Sequence, residues 1–168
     1  MSLDQKKWLE QLDNYPEAKK CIRQAETLSN VLPSYEFLYS LKSQIPKELY
    51  AYYLRTLLQY NTANVPVELR LLMLQDVDRN DIMYQEELDA IDNFETSVVI
   101  YRGTSKSEIA PGLSWSLRRY IAESSDFYNG RLFIAQISPS SILLYLSKDG
   151  DEEEIIAHVT DNYYIIDD

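Results

Sequence analysis

The chain has 168 residues, of which 45% are apolar and 26% charged, and its net charge is −11, from 27 acidic and 16 basic side chains. This length and composition predict one well-buried domain or two small ones rather than a disordered chain. Nucleic-acid binding depends on clustered Lys and Arg, so the acidic balance argues against it. The single Cys and single His make a zinc site built from these side chains implausible.

The sequence carries no pattern typical of membrane insertion or export. Its apolar runs fall well short of the roughly 20 residues that span a bilayer. The stretch MSLDQKKWLEQLDNY lacks the apolar core of a signal peptide. We therefore expect a cytoplasmic protein with no membrane partner.

Residues 1–95 show helical periodicity and contain no glycine. In PKELYAYYLRTLLQYN, apolar and aromatic side chains recur at i, i+3, i+4 spacing behind Pro46, which suits the start of a helix. VPVELRLLMLQDV repeats this pattern behind Pro66. We expect the Tyr-rich stripes to lie in the core. We expect residues 1–95 as a whole either to dock a partner or to support the β-rich half of the chain. The pattern predicts helices near 3–12, 16–29, 34–44, 47–60, 66–78 and 82–93.

Residues 96–168 show strand patterns instead, and all four glycines lie in them. The predicted strands are TSVVIYRG, GLSWSL, RLFIAQI, SILLYL, EEIIAHV and NYYIID, with one helical stretch, SLRRYIAESSDFY. Thr160-Asp161-Asn162 is typical of a hairpin turn, which would pair the last two strands. The predicted fold class is α+β, a helical N-terminal half followed by an antiparallel or mixed β-rich core, as two regions or one compact unit.

An acidic run, Asp151 to Glu154, leads directly into the last apolar strand but one. Because strand side chains alternate faces, Glu152 and Glu154 share a face, about 6.5–7 Å apart. At that separation, one carboxylate can stabilise an oxocarbenium-like transition state while the other orients or deprotonates an acceptor. A solvated loop end is the alternative interpretation of the run.

Two motifs precede the acidic run. In VVIYRG, Arg102 can present a bidentate fork to a phosphate, and Gly103 lets the backbone approach a ligand closely. In GLSWSL, Ser114 and Ser116 share a face, where their hydroxyls can fix a neighbouring carboxylate. A surface arginine and a half-exposed edge strand are the alternatives.

The order Arg, Ser-x-Ser, Glu-x-Glu over residues 98–159 resembles the ADP-ribosyltransferase family, in its arginine-serine-glutamate class. The similarity is closest to phage and bacterial members that show YRG, GLSW, a helix and an acid-rich segment before the final glutamate. It implies an ADP-ribosyltransferase-like mixed sheet in residues 96–168. It also implies NAD as substrate, no metal, and transfer of ADP-ribose to an acceptor protein, with arginine as the expected side chain. NAD hydrolysis is implied when no acceptor is present.

The same resemblance implies roles for single residues. Arg102 would hold the NAD phosphates, and the backbone of Gly103 would hold the nicotinamide amide. Ser114 would position the catalytic glutamate and support the nicotinamide ribose pocket, while Ser116 would have a lesser role in NAD binding. Trp115, between the two serines, stands where many toxins of the family have Thr.

The two glutamates would divide the reaction. Glu154 would bond the ribose 2′-hydroxyl and stabilise the oxocarbenium ion, whereas Glu152 would serve the arginine acceptor. Residues 147–151 would form the substrate-recognising turn. Three side chains are candidates to stack on nicotinamide: Tyr120, Phe127 and Tyr128.

Two other functions fit parts of the sequence. A protein of this fold that has lost turnover would be a binding module for a partner. An acidic mimic of nucleic acid would explain the net charge of −11, although the acids are spread over both halves of the chain. NAD binding separates the transferase from the mimic, and nicotinamide release separates it from the inactive module.

Overall fold

The computed structural model describes residues 14–27, 31–59, 64–124, 128–147 and 153–167. The chain divides into two compact units, Met1–Gln85 and Glu86–Asp168. The helix predicted near 3–12 lies outside the described residues. Among those described, no helix is both long and apolar enough to cross a membrane.

The first unit is helical, as the sequence predicts. Pro46 and Pro66 stand immediately before two of its helices and adopt extended backbone, with ψ of 142° and 138°. The helix predicted over 82–93 is interrupted, because Met83 is extended. The helices described up to the strands are α1 Pro16–Thr27, α2 Leu32–Ser40, α3 Lys47–Leu58, α4 Val67–Gln75, α5 Arg79–Ile82 and α6 Gln85–Asp92.

Helix α3 is buried on most of its surface rather than along one stripe. Tyr50 and Tyr53 are both core residues. Arg55 is also buried, because its Nη1 donates to the carbonyl of Ile82 at 3.1 Å and its guanidinium lies 4.5 Å from the centroid of the Tyr84 ring. A buried charge requires such partners, and periodicity alone does not predict them.

The second unit contains a six-stranded sheet with the order β4-β5-β2-β1-β3-β6, in which all neighbouring strands are antiparallel. Helix α7, Arg119–Ser124, lies between β2 and β3 in the chain. The α+β class is therefore confirmed, and the sheet is antiparallel rather than the mixed sheet that the resemblance implied. The strands are β1 Val98–Ser105, β2 Ser114–Ser116, β3 Gly130–Ile137, β4 Ile142–Leu146, β5 Glu154–Ala157 and β6 Tyr163–Asp167.

The predicted hairpin between the last two strands is wrong. Asn162 does adopt the left-handed backbone of a turn, with φ of 57°. Strand β6 nevertheless pairs with β3, at the far edge of the sheet from β5. The Phe133 and Tyr163 rings meet edge to face at 5.4 Å across this pair, and Arg131 binds Asp167. The side chains that contact each other across this pair are about 30 residues apart in sequence. The turn at Asn162 therefore does not determine which strand β6 pairs with.

Both faces of the sheet carry buried side chains: Leu132, Leu144 and Ile156 lie on one face, and a larger set lies on the opposite face. Alternate residues of five strands point to this face, because cross-strand partners share a side. The trace of buried side chains across it comprises Val98, Ile100, Trp115, Phe133, Ala135, Tyr145 and Ile155.

Candidate active site

The three sequence motifs lie on neighbouring strands. Arg102 is on β1, Ser114 opens β2, and Glu154 opens β5. The order β5-β2-β1 places β2 between the other two strands. All three residues therefore belong to the second unit, and β2 connects the arginine strand with the glutamate strand.

Ser114 is hydrogen-bonded to Glu154, its hydroxyl donating to Oε1 of the carboxylate. The register pairs Ser116 with Glu154 and Ser114 with Ile156, so the two bonded residues are diagonal neighbours on one face. A diagonal pair is within reach of a long side chain such as glutamate. The hydroxyl fixes where the half-buried Glu154 carboxylate lies.

Arg102 also contacts Ser114, through the main chain. Its Nη1 donates to the Ser114 carbonyl at 3.0 Å. In the described register, β1 and β2 pair at Tyr101 and Ser116 alone. Because side chains alternate along each strand, the Ser114 hydroxyl shares the face of this pair, and the Arg102 side chain leaves β1 on the opposite face. Its Nε is buried and has no hydrogen-bond partner. The guanidinium therefore retains donor capacity for a ligand.

Two glycines make room beside these residues. A Cβ at Gly103 would lie 1.8 Å from the carbonyl oxygen of Ala122 in α7, so a glycine is needed for the helix to approach β1. A Cβ at Gly112 would lie 3.1 Å from the guanidinium carbon of Arg102. The absence of a side chain at Gly112 thus lets the main chain lie close against that guanidinium.

We expect Gly103→Ala to lower the free energy of unfolding by about 1–3 kcal/mol, because α7 must shift away from β1. Gly112→Ala is the matched control and should cost less, because it meets only the end of a flexible side chain. Urea unfolding followed by circular dichroism measures both. Equal losses for the two variants would contradict this account of Gly103.

Ser116 has a different partner from Ser114. It is 8% exposed, and its hydroxyl accepts the backbone N–H of Arg118 at 3.0 Å, just before α7 begins. This bond holds the turn from β2 into the helix. The hydroxyl of Ser116 therefore has a structural contact of its own beside the predicted NAD site.

Glu153 and Glu154 turn to different partners, as alternation along a strand requires. Glu153 accepts from Arg118 Nε at 3.0 Å and from the Tyr145 hydroxyl at 3.4 Å. The bond to Glu153 raises the pKa of Arg118, while burial and the nearby Glu153 charge raise the pKa of Tyr145 to about 12. Glu153 is thus ion-paired rather than only solvated. Glu152 lies outside the described residues.

The segment predicted to recognise the substrate begins at an anchored residue. Ser147 donates its N–H to Oε1 of Glu87 at 3.1 Å and its hydroxyl to the same oxygen at 3.4 Å. Glu87 is 1% exposed, so this carboxylate is buried at the end of β4. Residues 148–151 lie outside the described residues.

The aromatic candidates differ in position. Tyr128 lies beside Gly103, since its Cβ is 3.2 Å from the position that a Cβ on residue 103 would take. Tyr120 is 54% exposed, with its hydroxyl 3.4 Å from Arg118 Nη1. Phe127 lies outside the described residues. Tyr128 is therefore the described candidate that adjoins the predicted nicotinamide position.

Two residues at the end of β1 were missed by sequence reasoning. A turn, closed by the Glu108 N–H on the Ser105 carbonyl at 3.1 Å, folds Glu108 back beside Thr104. The Thr104 hydroxyl donates to Glu108 Oε2, and Arg102 Nη2 lies 3.4 and 3.5 Å from the two carboxylate oxygens. An acid four residues after Thr104, across a Lys-Ser turn, is the signal that could have indicated them.

Arg131 fixes the main chain of this turn. Its Nη1 donates to the Glu108 carbonyl at 2.6 Å, and its Nε and Nη2 bind Asp167 at 2.6 and 2.8 Å. The hydrogen bond from Arg131 lowers the pKa of Asp167. Unlike Arg102, Arg131 therefore uses each of its guanidinium nitrogens.

Comparison with known proteins gives no relative: no family model, no curated protein and no solved structure matches the chain. Within the described ranges, no group of three or more His, Cys, Asp or Glu side chains could hold a metal ion.

Proposed function

We propose that the chain is a mono-ADP-ribosyltransferase, which moves ADP-ribose from NAD to a protein side chain, arginine in the first place, and releases nicotinamide. The observation that carries this proposal is the double contact of Ser114. Its carbonyl accepts from Arg102 and its hydroxyl donates to Glu154. Ser114 thereby contacts both proposed groups, the arginine through its main chain and the glutamate, on the other face of the sheet, through its side chain. Residues 96–168 would then form an ADP-ribosyltransferase-like core.

The donor's pyrophosphate would bind at Arg102. The Arg102 side chain is 22% exposed, its Nε is buried without a hydrogen-bond partner, and its Nη2 lies 3.4 Å from Glu108 Oε1. Charge-assisted bonds between guanidinium and phosphate are typically 2.7–2.9 Å long and are frequently bidentate. A phosphate therefore offers Arg102 better bonds than it now has.

The nicotinamide end would lie near Gly103 and Tyr128. The backbone of Gly103 would hold the carboxamide, as the sequence resemblance implies. Tyr128 adjoins this glycine and would offer its ring for stacking on nicotinamide. Tyr120 and Phe127 remain the other candidates for that contact.

The chemistry would centre on Glu154. The bond between ribose C1′ and the nicotinamide nitrogen breaks, and nicotinamide leaves as a neutral molecule with the bonding electrons. Positive charge develops on C1′ and the ring oxygen, where a carboxylate stabilises it more than it stabilises bound NAD. The Ser114 hydroxyl keeps that carboxylate in one orientation, and the ribose 2′-hydroxyl would donate to its other oxygen.

The acceptor would complete the reaction. An arginine nitrogen adds to C1′, which forms the new C–N bond. The nitrogen then gives up a proton to Glu152. Water in place of arginine gives free ADP-ribose. Glu152 and Glu154 would therefore serve different substrates of one reaction.

We expect Glu152→Gln to abolish transfer to protein but to keep slow nicotinamide release. Glu152 serves only the protein acceptor, and water can take the place of that acceptor. Glu153→Gln is the matched control, since it makes the same charge change at the next residue of the chain. It should change either reaction by no more than about threefold, because it removes only a partly exposed ion pair with Arg118. Protein labelling and nicotinamide release are measured in parallel. Labelling that survives Glu152→Gln and fails with Glu153→Gln would contradict the assignment.

Incubation of the protein with adenine-labelled NAD and a cell lysate tests the proposed function. A transferase labels one or more lysate proteins and releases at least as much nicotinamide as protein label, because hydrolysis adds to the release. An inactive module of this fold binds NAD and releases none, and an acidic nucleic-acid mimic neither binds nor cleaves it. Either of the last two results would overturn the proposal.

A further inference from the structure

We infer that Arg102 and Thr104 form one anion site and that the Glu108 carboxylate occupies this site until a phosphate of the dinucleotide displaces it. This inference rests on the proposed function for the identity of the ligand. Thr104 then becomes a second phosphate-binding residue, and Glu108 an internal competitor of the donor substrate.

The contacts of Glu108 are those of a bound anion. The Glu108 carboxylate accepts a hydrogen bond from the Thr104 hydroxyl and another from Arg102 Nη2. Thr104 is 3% exposed, which is rare for a polar side chain unless its hydroxyl has a partner. A phosphate oxygen at the same position would receive the same two donors.

The contact between Arg102 and Glu108 is weak enough for a phosphate to replace the carboxylate. Its N–O distances of 3.4 and 3.5 Å are at the long limit of a hydrogen bond, while Nε of the same guanidinium is buried without a partner. Glu108 therefore satisfies Arg102 incompletely. A phosphate, with more acceptor oxygens and more charge than a carboxylate, can engage the guanidinium more fully.

Displacement requires only the side chain of Glu108 to rotate. Its main chain is held on both sides, by the Ser105 carbonyl at 3.1 Å and by Arg131 Nη1 at 2.6 Å. The Glu108 side chain is 41% exposed, so solvent can receive the displaced carboxylate. The turn can stay in place while the anion site changes occupant.

Titration with inorganic pyrophosphate, at constant ionic strength, tests the competitor. We expect Glu108→Gln to bind pyrophosphate about fivefold more tightly than wild type, because a neutral amide competes less for a guanidinium. Glu123→Gln is the matched control, since it makes the same charge change on the exposed pair with Arg119. It should stay within about twofold of wild type. Equal affinities of the two variants, or no binding by wild type and Glu108→Gln, would overturn the inference.

Thr104 is tested in the Glu108→Gln background, where the internal competitor is weakened. There Thr104→Val should raise the Kd for pyrophosphate about tenfold, because a hydroxyl donor to a charged ligand is lost. Thr104→Ser should restore the affinity to within about twofold. Val is close to Thr in shape, so the variant keeps the buried strand position. An unchanged Kd for Thr104→Val would overturn the role of Thr104.

The same titrations with NAD separate the two proposals. If the pyrophosphate results are as expected but NAD is not cleaved, the anion site stands and the transferase proposal fails. If NAD is cleaved and Glu108→Gln leaves the Kd for both ligands unchanged, the transferase proposal stands and the competitor is overturned.

Discussion

Glu154→Gln is expected to lower the rate of nicotinamide release from NAD by about 10²–10³-fold, the usual cost of removing one electrostatic stabiliser of a transition state. The Kd for NAD should change by less than about threefold, because the carboxylate acts on charge that develops only as the glycosidic bond breaks. Single-turnover nicotinamide release, together with titration of NAD into the variant, measures the two quantities separately.

The substitution is conservative for the structure. A glutamine keeps an oxygen that can accept the Ser114 hydroxyl, which donates to Glu154 in the native protein. The control is Glu153→Gln, because Glu153 binds Arg118 and Tyr145 instead. Nicotinamide release within a few-fold of wild type in Glu154→Gln would mean that another acid carries the chemistry.

Arg102→Ala is expected to weaken NAD binding by about 2–3 kcal/mol, or about 30- to 150-fold in Kd, because charge-assisted bonds to the pyrophosphate are lost. Arg102→Lys should recover only part of this loss, since a point charge lacks the planar fork of a guanidinium. Isothermal titration of NAD into each folded variant provides the measurement.

Arg119→Ala is the control for this experiment. It removes the same charge from an exposed i,i+4 pair with Glu123 on α7, and it should leave the Kd for NAD within about twofold. A thermal melt of each variant verifies folding, because Arg102 also donates to the Ser114 carbonyl. Unchanged NAD affinity in a folded Arg102→Ala protein would refute the phosphate-binding role.

Local patterns predicted most of the secondary structure. Strand β1 follows from the β-branched run Val98, Val99 and Ile100. The prolines before α3 and α4 mark helix starts because their fixed φ suits the first turn. These signals lie within a few residues of the elements that they predict.

Partners distant in sequence could not be predicted in this way. The partner of β6 is β3, whereas the turn at Asn162 indicated β5. Arg55 lies on a buried part of α3 because the Ile82 carbonyl and the Tyr84 ring, nearly 30 residues away, satisfy it. In both cases tertiary contacts decide what a local turn or a helical period leaves open.

The candidate site shows the same division. Arg102, Ser114 and Glu154 stood out because each motif places a polar group on an apolar strand, and the structure gives Ser114 a contact to each of the other two. Thr104 and Glu108 did not stand out, because a turn rather than a strand period brings them together. The sequence pattern indicated Arg102, Ser114 and Glu154 but not the Glu108 carboxylate that contacts Arg102 and Thr104.

Nicotinamide release from NAD by the wild-type protein is the measurement that tests the central claim most directly. The protein is incubated with NAD and an arginine analogue, and nicotinamide, free ADP-ribose and ADP-ribosylated analogue are quantified by chromatography. We predict catalytic release of nicotinamide, equal to the sum of the two ADP-ribose products. Intact NAD after many hours at high protein concentration, with or without the analogue, would contradict the claim that Arg102, Ser114 and Glu154 form the active site of a transferase.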